Sequence, residues 1–227
     1  EQYLALKDEN VKFTGQSYLF WEYVRLLKEC KPKYFLLENV KMSLDNQEVI
    51  TKALGVEPIN INSKLVSAQL RNRFYWTNIP AVTVPADRGI TFQSVLDGGY
   101  SVREKSLCVL ESWSRPNVAR PKIFYRDKER SFNLAICESK DGHDACLAHY
   151  KANYKGRPAG CVPQTHPLYD GVRNVNVLEM ERLQTVPEGY TSVLTRNGAA
   201  SVLGNGWTVE VIKHIFANLK LDKDLIK

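Results

Sequence analysis

No unbroken apolar run in this chain approaches the roughly eighteen residues that a membrane-spanning helix needs, and no basic-then-apolar leader opens it. Nothing therefore argues for a membrane span or for secretion, and a soluble protein without a membrane partner is expected. Paired cysteine spacing is missing as well. The five cysteines stand singly at 30, 108, 137, 146 and 161, an odd number that fits a reducing, cytoplasmic compartment better than a disulfide framework. Internal repeats and low-complexity segments are absent. With only four histidines, a metal site has one candidate set, Cys137, His143, Cys146 and His149. Thiolates and imidazoles are the usual zinc ligands, but these intervals form no recognised finger pattern. Ordinary buried cysteines and surface histidines are the simpler reading, and no metal is expected.

What is present is enough apolar material, 44% of 227 residues, for one large domain or two small ones with real cores. Charge is distributed unevenly. Residues 86–165 carry 13 basic against 9 acidic side chains, whereas 166–227 are balanced at 7 against 7. Within the basic part, Trp113, Arg115, Arg120, Lys122, Tyr125, Arg126, Lys128 and Arg130 interleave cations with aromatics, a pattern suited to phosphate contact with stacking. An ordinary solvated surface is the bland reading of the same charges.

In chain order, residues 1–16 give no firm assignment. From Ser17, Leu19, Phe20, Tyr23, Val24 and Leu27 recur at helical spacing on one face until Pro32 ends the helix. The apolar run 33–40 follows, ending in Glu38 and Asn39. It suits a buried parallel strand with the acid at its carboxyl end, where open α/β sheets place their chemistry. A helix preceding such a strand is half of a βαβ unit, so an earlier strand should precede residue 17, and none is present. Residues 41–54 read as a helix with Gly55 as C-cap. Two strands, 56–63 and 73–78, read as a pair closing the sheet. Pro80 and Pro85 mark an exit, and a boundary falls near 86. Residues 86–165 read as short strands and loops, with no helical period longer than two turns before about residue 175. Asn176 and Glu179 form a capping-box signal for a short helix, and a last helix spans about 208–221 behind the turn Gly204-Asn205-Gly206.

Three clusters, Glu38-Asn39-Val40, then Gln69 to Arg73 about thirty residues later, then Gly204 to Val209, together resemble the DNA (cytosine-5)-methyltransferase family, phage and bacterial members most closely. That resemblance implies an α/β fold: a partial S-adenosylmethionine-dependent, Rossmann-like sheet with a small irregular, mostly β target-recognition domain. It divides the chain into 1–85, the carboxyl-terminal half of the catalytic domain; 86–165, the recognition domain; and 166–227, a return to the catalytic domain. Arg173, Glu179, Arg182, Leu183 and Gln184 match a motif that braces the recognition domain.

The family's chemistry explains the residue types. Carbon 5 of cytosine is too electron-poor to take a methyl cation, so a cysteine thiolate adds to carbon 6 and creates a nucleophilic enamine. By resemblance Glu38 holds the Watson–Crick edge and donates toward ring nitrogen 3, which asks for burial among Leu36, Leu37 and Val40 to raise its pKa. Arg71 and Arg73, alternating on one side of a strand with Gln69, would hold the cytosine carbonyl and the phosphate of the extruded nucleotide. The base has to leave the duplex, because its reacting carbons are stacked inside. Asn205, Gly206 and Trp207 would line the S-adenosylmethionine pocket, since glycine-flanked turns let backbone approach a ligand. Double-stranded DNA is the expected partner, contacted by Gln69, Arg115, Arg120, Lys122, Arg126, Lys128 and Arg130.

The departures are large. The Gly-rich cofactor motif and the Pro-Cys nucleophile are absent; Cys30 follows a Glu at a helix end, and Cys161 lies in Gly160-Cys161-Val162-Pro163. The expectation is therefore the base-handling and recognition part of a methyltransferase, completed by a second chain or segment. The alternative is a non-catalytic DNA-binding or regulatory relative, with RNA a lesser possibility as substrate. The expected location is the cytoplasm and nucleoid of a prokaryote or its phage, or a eukaryotic nucleus.

Overall fold

The computed structural model describes residues 19–111, 136–153, 167 and 171–220. Its elements run α1 (Leu19–Cys30), β1 (Leu36–Val40), α2 (Leu44–Leu54), β2 (Ile59–Asn62), β3 (Gln69–Leu70), β4 (Asn72–Thr77), β5 (Tyr100–Ser101), β6 (Ser106–Leu107), β7 (Ile136–Cys137), α3 (Lys140–Asn153), β8 (Val172–Arg173), α4 (Val177–Gln184), α5 (Arg196–Asn205) and α6 (Val209–Phe216). They gather into two compact units. One comprises 1–62, 72–85 and 213–227, the other 63–71 and 86–212. The expected three-way division follows family roles, whereas compactness cuts the chain between Arg71 and Asn72.

In the first unit, α1 ends where Pro32 requires. Lys31 turns left-handed at φ 45 and its N–H donates to Leu27 O at 3.0 Å. The buried stripe is rotated from the expected one: Trp21 and Val24 are buried, while Leu19 is 65% exposed. The reason lies on α2, whose Val49, with Ala53 and Leu54 beside it, packs against Trp21 and Val24; the indole has the most apolar area to hide. Helix α2 has both of its local signals. Ser43 accepts from Asn46 N–H, and Gly55 takes φ 70 with its N–H on Thr51 O at 2.8 Å.

The sheet of this unit has the order β1-β4-β2, with β4 antiparallel to both neighbours. The expected strand pair therefore forms, but β4 returns between β1 and β2 instead of adding at the end. The expectation of a buried parallel β1 is corrected on both counts. Its described pairing is antiparallel and its residues are half-buried, ending in an exposed Val40. Register and pleat put Glu38, Arg73, Tyr75 and Ile61 on one face and Leu37, Phe74 and Trp76 on the other. Trp76 donates its indole N–H to Thr51 Oγ1 at 3.0 Å, fastening that second face to α2.

The second unit has a core of Ala68, Phe92, Val109, Ile136, Val175, Met180, Leu183, Ala200 and Leu203. Around it lie a two-stranded parallel sheet, β3-β6, and a three-stranded antiparallel one, β5-β7-β8. Short strands were expected over 86–165, but α3 corrects the exclusion of a longer helix there: it runs 14 residues. Gly142 and weak amphipathicity hide it in the sequence. Ser139 Oγ accepts from Gly142 N–H at 3.1 Å, Lys140 pairs with Asp144 at 2.8 Å, and the helix packs on β5 and β7. Helix α4 carries the full capping box of Asn176 and Glu179. Helix α5 was not foreseen; Thr195 caps it by accepting from Gly198 N–H, and two glycines, Gly198 and Gly204, weaken its propensity signal. Helix α6 is shorter than the expected 208–221.

Candidate functional site

Glu38 stands in the middle of β1 rather than at the expected carboxyl end, because the strand pairs on through Val40. Its Oε1 lies 2.6 Å from Arg73 Nε, with the two side chains 17% and 16% exposed. The approach is an ion pair without hydrogen-bond alignment. That buried carboxylate oxygen accepts no hydrogen bond, nor does Asn72 Oδ1 beside Arg73 in sequence. Arg73 also donates from Nη1 to Asn72 O at 3.0 Å. The apolar enclosure expected from Leu36, Leu37 and Val40 is not formed: Leu37 belongs to the opposite face by register and Val40 is 51% exposed. What stands against the acid is a guanidinium.

Gln69 and Arg71 were expected beside Arg73 on one side of a strand. They are instead structural members of the second unit, because the strand breaks at Arg71 and the chain pairs differently on either side. Arg71 is 5% exposed. From Nη1 it donates to Cys108 Sγ at 3.0 Å and Val109 O at 3.2 Å, and from Nη2 to Gly206 O at 2.8 Å and Gly204 O at 3.4 Å. Gln69 is fully buried and donates from Nε2 to Leu183 O at 2.6 Å and to Gln184 Oε1 at 2.8 Å, while its Oε1 accepts from Val109 N–H at 3.1 Å. Neither side chain is presented for a nucleic acid. A guanidinium is well suited to this place, since its fork reaches several carbonyls at once and stays charged when buried.

The 204–208 stretch is what these side chains hold. Gly204 and Asn205 form the last turn of α5 and Gly206 is its C-cap, so the expected free turn begins only at Gly206. The close approach expected of a glycine is real at Gly204, but the neighbour is the chain itself: a Cβ there would sit 2.1 Å from Glu111 N and 2.4 Å from Leu110 C. Gly206 has its carbonyl taken by Arg71 and Gln184 and its N–H by Val202 and Leu203 carbonyls. Asn205 and Trp207 remain exposed, Trp207 at 45%. Sequence reasoning missed the lock beneath them. Gln184 donates to Leu203 O, Thr208 Oγ1 donates to Gln184 Oε1 at 3.1 Å, and Ser63 donates to Thr208 Oγ1 at 2.9 Å. No local signal in the sequence announces it, because its members come from four separate segments.

Arg173 and Glu179, to which the resemblance gave a bracing role, form an ion pair with each other. Arg173 reaches both oxygens of the fully buried Glu179 at 2.7 and 2.9 Å and Gly98 O at 2.6 Å. The carboxylate beside it holds the Arg173 guanidinium above its ordinary pKa. Glu179 Oε1 also accepts from Asp97 N–H at 2.9 Å, so β8, α4 and the 97–98 turn meet on one carboxylate. Arg182 donates to Val95 O and pairs with Glu188. Arg115, Arg120, Lys122, Arg126, Lys128 and Arg130, with Trp113, Tyr125 and Cys161, lie outside the described residues. Of the four candidate zinc ligands, Cys137 and Cys146 have their sulfurs 3.8 Å apart, while His143 contacts Asp144 and Tyr100. Among the described residues no cluster of three or more possible ligands forms, and no helix is long and apolar enough to cross a membrane.

Residues 8–79, which contain the Glu38–Arg73 pair, match the family model for C-5 cytosine-specific DNA methylases. Solved structures with the same fold include a mutant DNMT2 of Spodoptera frugiperda, 15% identical with a TM-score of 0.52, covering 81% of this chain and 66% of that one. The methyltransferase EhMeth of Entamoeba histolytica is 14% identical at 0.56, covering 96% and 73%. The Dnmt2 methyltransferase of S. pombe is 16% identical at 0.54, covering 90% and 73%. The chain thus spans 66% of the length of the first of these. Its fold is the mixed α/β fold of methyltransferases, and the resemblance to the cytosine-5 family extends in sequence over 8–79.

Proposed function

We propose that this chain is the base-handling and recognition part of a DNA (cytosine-5)-methyltransferase, completed by a second chain or segment that carries the Gly-rich motif and the Pro-Cys nucleophile. The observation that supports this reading best is the Glu38–Arg73 pair between β1 and β4, inside the stretch that matches the family. A carboxyl group beside a guanidinium can meet a flat ring bearing an amino group, a ring nitrogen and a carbonyl in a row: the carboxyl accepts from the amino group and, when protonated, donates to the ring nitrogen, and the guanidinium donates to the carbonyl. Glu38 would take the amino and ring-nitrogen edge of a flipped cytosine, and Arg73 would hold its carbonyl oxygen. The base would replace the present Glu38–Arg73 contact with its own.

Arg71 and Gln69 have a separate part within the second unit, fixing the 204–208 stretch. S-adenosylmethionine would supply an electrophilic methyl group on a sulfonium. The residues present fit one wall of its site: an exposed indole suits a sulfonium through its ring face, and the Asn205 amide can bond a polar end. The shape of that wall depends on Arg71 and Gln184 holding the Gly206 carbonyl. Reading of double-stranded DNA is assigned to 86–165, the segment with the excess of basic side chains.

The test is reconstitution. Mixed with a polypeptide carrying the two missing motifs, the chain should transfer a labelled methyl group from S-adenosylmethionine to double-stranded DNA, on carbon 5 of cytosine. A reconstituted complex that binds DNA tightly but transfers nothing would favour the non-catalytic DNA-binding reading.

A further inference from the structure

We propose that Cys137 and Cys146 form a reversible dithiol–disulfide couple, entered at Cys146 by a low-molecular-weight disulfide such as oxidised glutathione. Cys137 lies on β7, the middle strand of its sheet, opposite Tyr100 of β5 and Val172 of β8, and is buried. Cys146 is in the second turn of α3 and half-exposed. Only Glu138 and Ser139 separate the strand from the helix, so the two elements are tied closely. The helix also comes down near the strand: a Cβ on Gly142 would lie 4.0 Å from Cys137 Cβ and 3.1 Å from Ser139 Oγ. The two sulfurs are 3.8 Å apart, with the Cys137 thiol donating toward Cys146. A disulfide needs about 2 Å between them, so closure asks for a shift on the scale of a side-chain rotation.

The geometry also sets the order of events. The hydrogen bond from Cys137 holds the Cys146 thiol below its ordinary pKa, while the same bond, reinforced by burial, pushes Cys137 up. Cys146 is thus the more exposed and more readily ionised sulfur, and Cys137 the resolving one. In the first step the Cys146 thiolate attacks one sulfur of oxidised glutathione, forming a mixed disulfide and releasing one glutathione thiolate. In the second, Cys137 gives up its proton to solvent and attacks the Cys146 sulfur, releasing the second glutathione thiolate. The protein pair loses two electrons and two protons, and the glutathione disulfide is reduced to two thiols. The product fastens α3 covalently to β7. The other described cysteines lack this arrangement: Cys30 is exposed on α1 and Cys108 accepts from Arg71.

The experiment uses the full reduced chain in glutathione buffers of graded redox poise, quenched by alkylation and digested with trypsin. Cleavage after Arg130, Lys140 and Lys151 leaves Cys137 in peptide 131–140 and Cys146 in peptide 141–151. The expected result is the two peptides joined, lighter than their sum by two hydrogens, separated again by dithiothreitol, and formed at a more reducing poise in the folded chain than in urea. Cys137→Ser should halt at a glutathione adduct on Cys146, and Cys146→Ser should leave Cys137 unmodified. The proposal is overturned if both cysteines stay separately alkylated across the series. It is equally overturned if the joined peptides form no more readily in the folded chain than in urea.

Discussion

Glu38 and Arg73 are diagonal neighbours across β1 and β4: Glu38 stands opposite Tyr75 and Arg73 opposite Val40, yet Arg73 Nε reaches Glu38 Oε1 at 2.6 Å. Such diagonals are within reach of long side chains on a pleated face. In the reconstituted enzyme, Glu38→Gln is expected to leave DNA affinity nearly intact and to lower turnover by roughly the 10² to 10⁴ typical of a positioned acid. Methyl-transfer rates under saturating DNA check this; turnover equal to wild type would remove Glu38 from the chemistry.

Arg71 and Arg73 should separate in a stability measurement although they are two residues apart. Arg71→Ala takes the guanidinium from the carbonyls of Val109, Gly204 and Gly206, of which Gly206 keeps a bond from Gln184, and a buried group left without its donor costs about 1–3 kcal/mol. Arg73→Ala removes one ion pair and one carbonyl contact to its own neighbour, between side chains that solvent still reaches, so it strips fewer backbone groups of a donor and costs less. Urea midpoints of the two variants, measured side by side, should differ strongly in that order. Equal midpoints would contradict the anchoring role of Arg71.

Gly204→Ala is expected to be among the most damaging single changes in the second unit. The new Cβ would meet the 110–111 backbone at 2.1 to 2.7 Å, and backbone cannot rotate aside as a side chain can. Overpacking at well-packed sites costs about 1–3 kcal/mol and occasionally more. Gly198→Ala makes a matched control, because its nearest contacts are 3.4 Å away; thermal unfolding of the pair should place Gly204→Ala well below Gly198→Ala.

Glu181 gives the second unit a pH dependence. Burial alone would push its carboxyl up, but Thr191 donates from both its hydroxyl and its N–H, at 2.6 and 2.7 Å, and Gly189 N–H donates at 2.8 Å. The three donors outweigh burial and hold Glu181 below the ordinary carboxyl pKa. Because the folded value is depressed, the contribution is complete above the unfolded pKa of about 4.3 and is lost as pH falls through the folded value. Glu181→Gln should therefore cost stability at pH 7 and progressively less as acid is added. A constant difference between wild type and variant across that range would show the donors to be ineffective.

Some of this was legible from residues 33–40 and 69–73, and some was misleading there. The apolar run 33–40 does form a strand, though only from Leu36 to Val40, since period and composition are local properties. Whether that strand runs parallel to its neighbour depends on where β4 returns, which no local pattern encodes. Likewise Gln69, Arg71 and Arg73 alternate in sequence, and alternation implies one face only while a strand continues. Here the ladder changes partner at Arg71, from β6 on one side to β1 and β2 on the other, so Arg71 and Arg73 belong to different compact units.

What the sequence determined by itself is the set of short-range decisions: Pro32 ending α1, Ser43 and Gly55 bounding α2, and Asn176 with Glu179 opening α4. Each rests on hydrogen bonds or steric limits spanning four residues or so, and any chain with those residues meets the same constraint. The tertiary structure alone decided that Arg71 is an anchor, that Gly204 faces Glu111, and that Cys137 meets Cys146 through a helix with a weak local signal. The partner of Arg71 at Gly206 arrives from 135 positions away. A side chain's role there is set by which backbone groups folding leaves without a donor, and that is known only once the chain has closed around them.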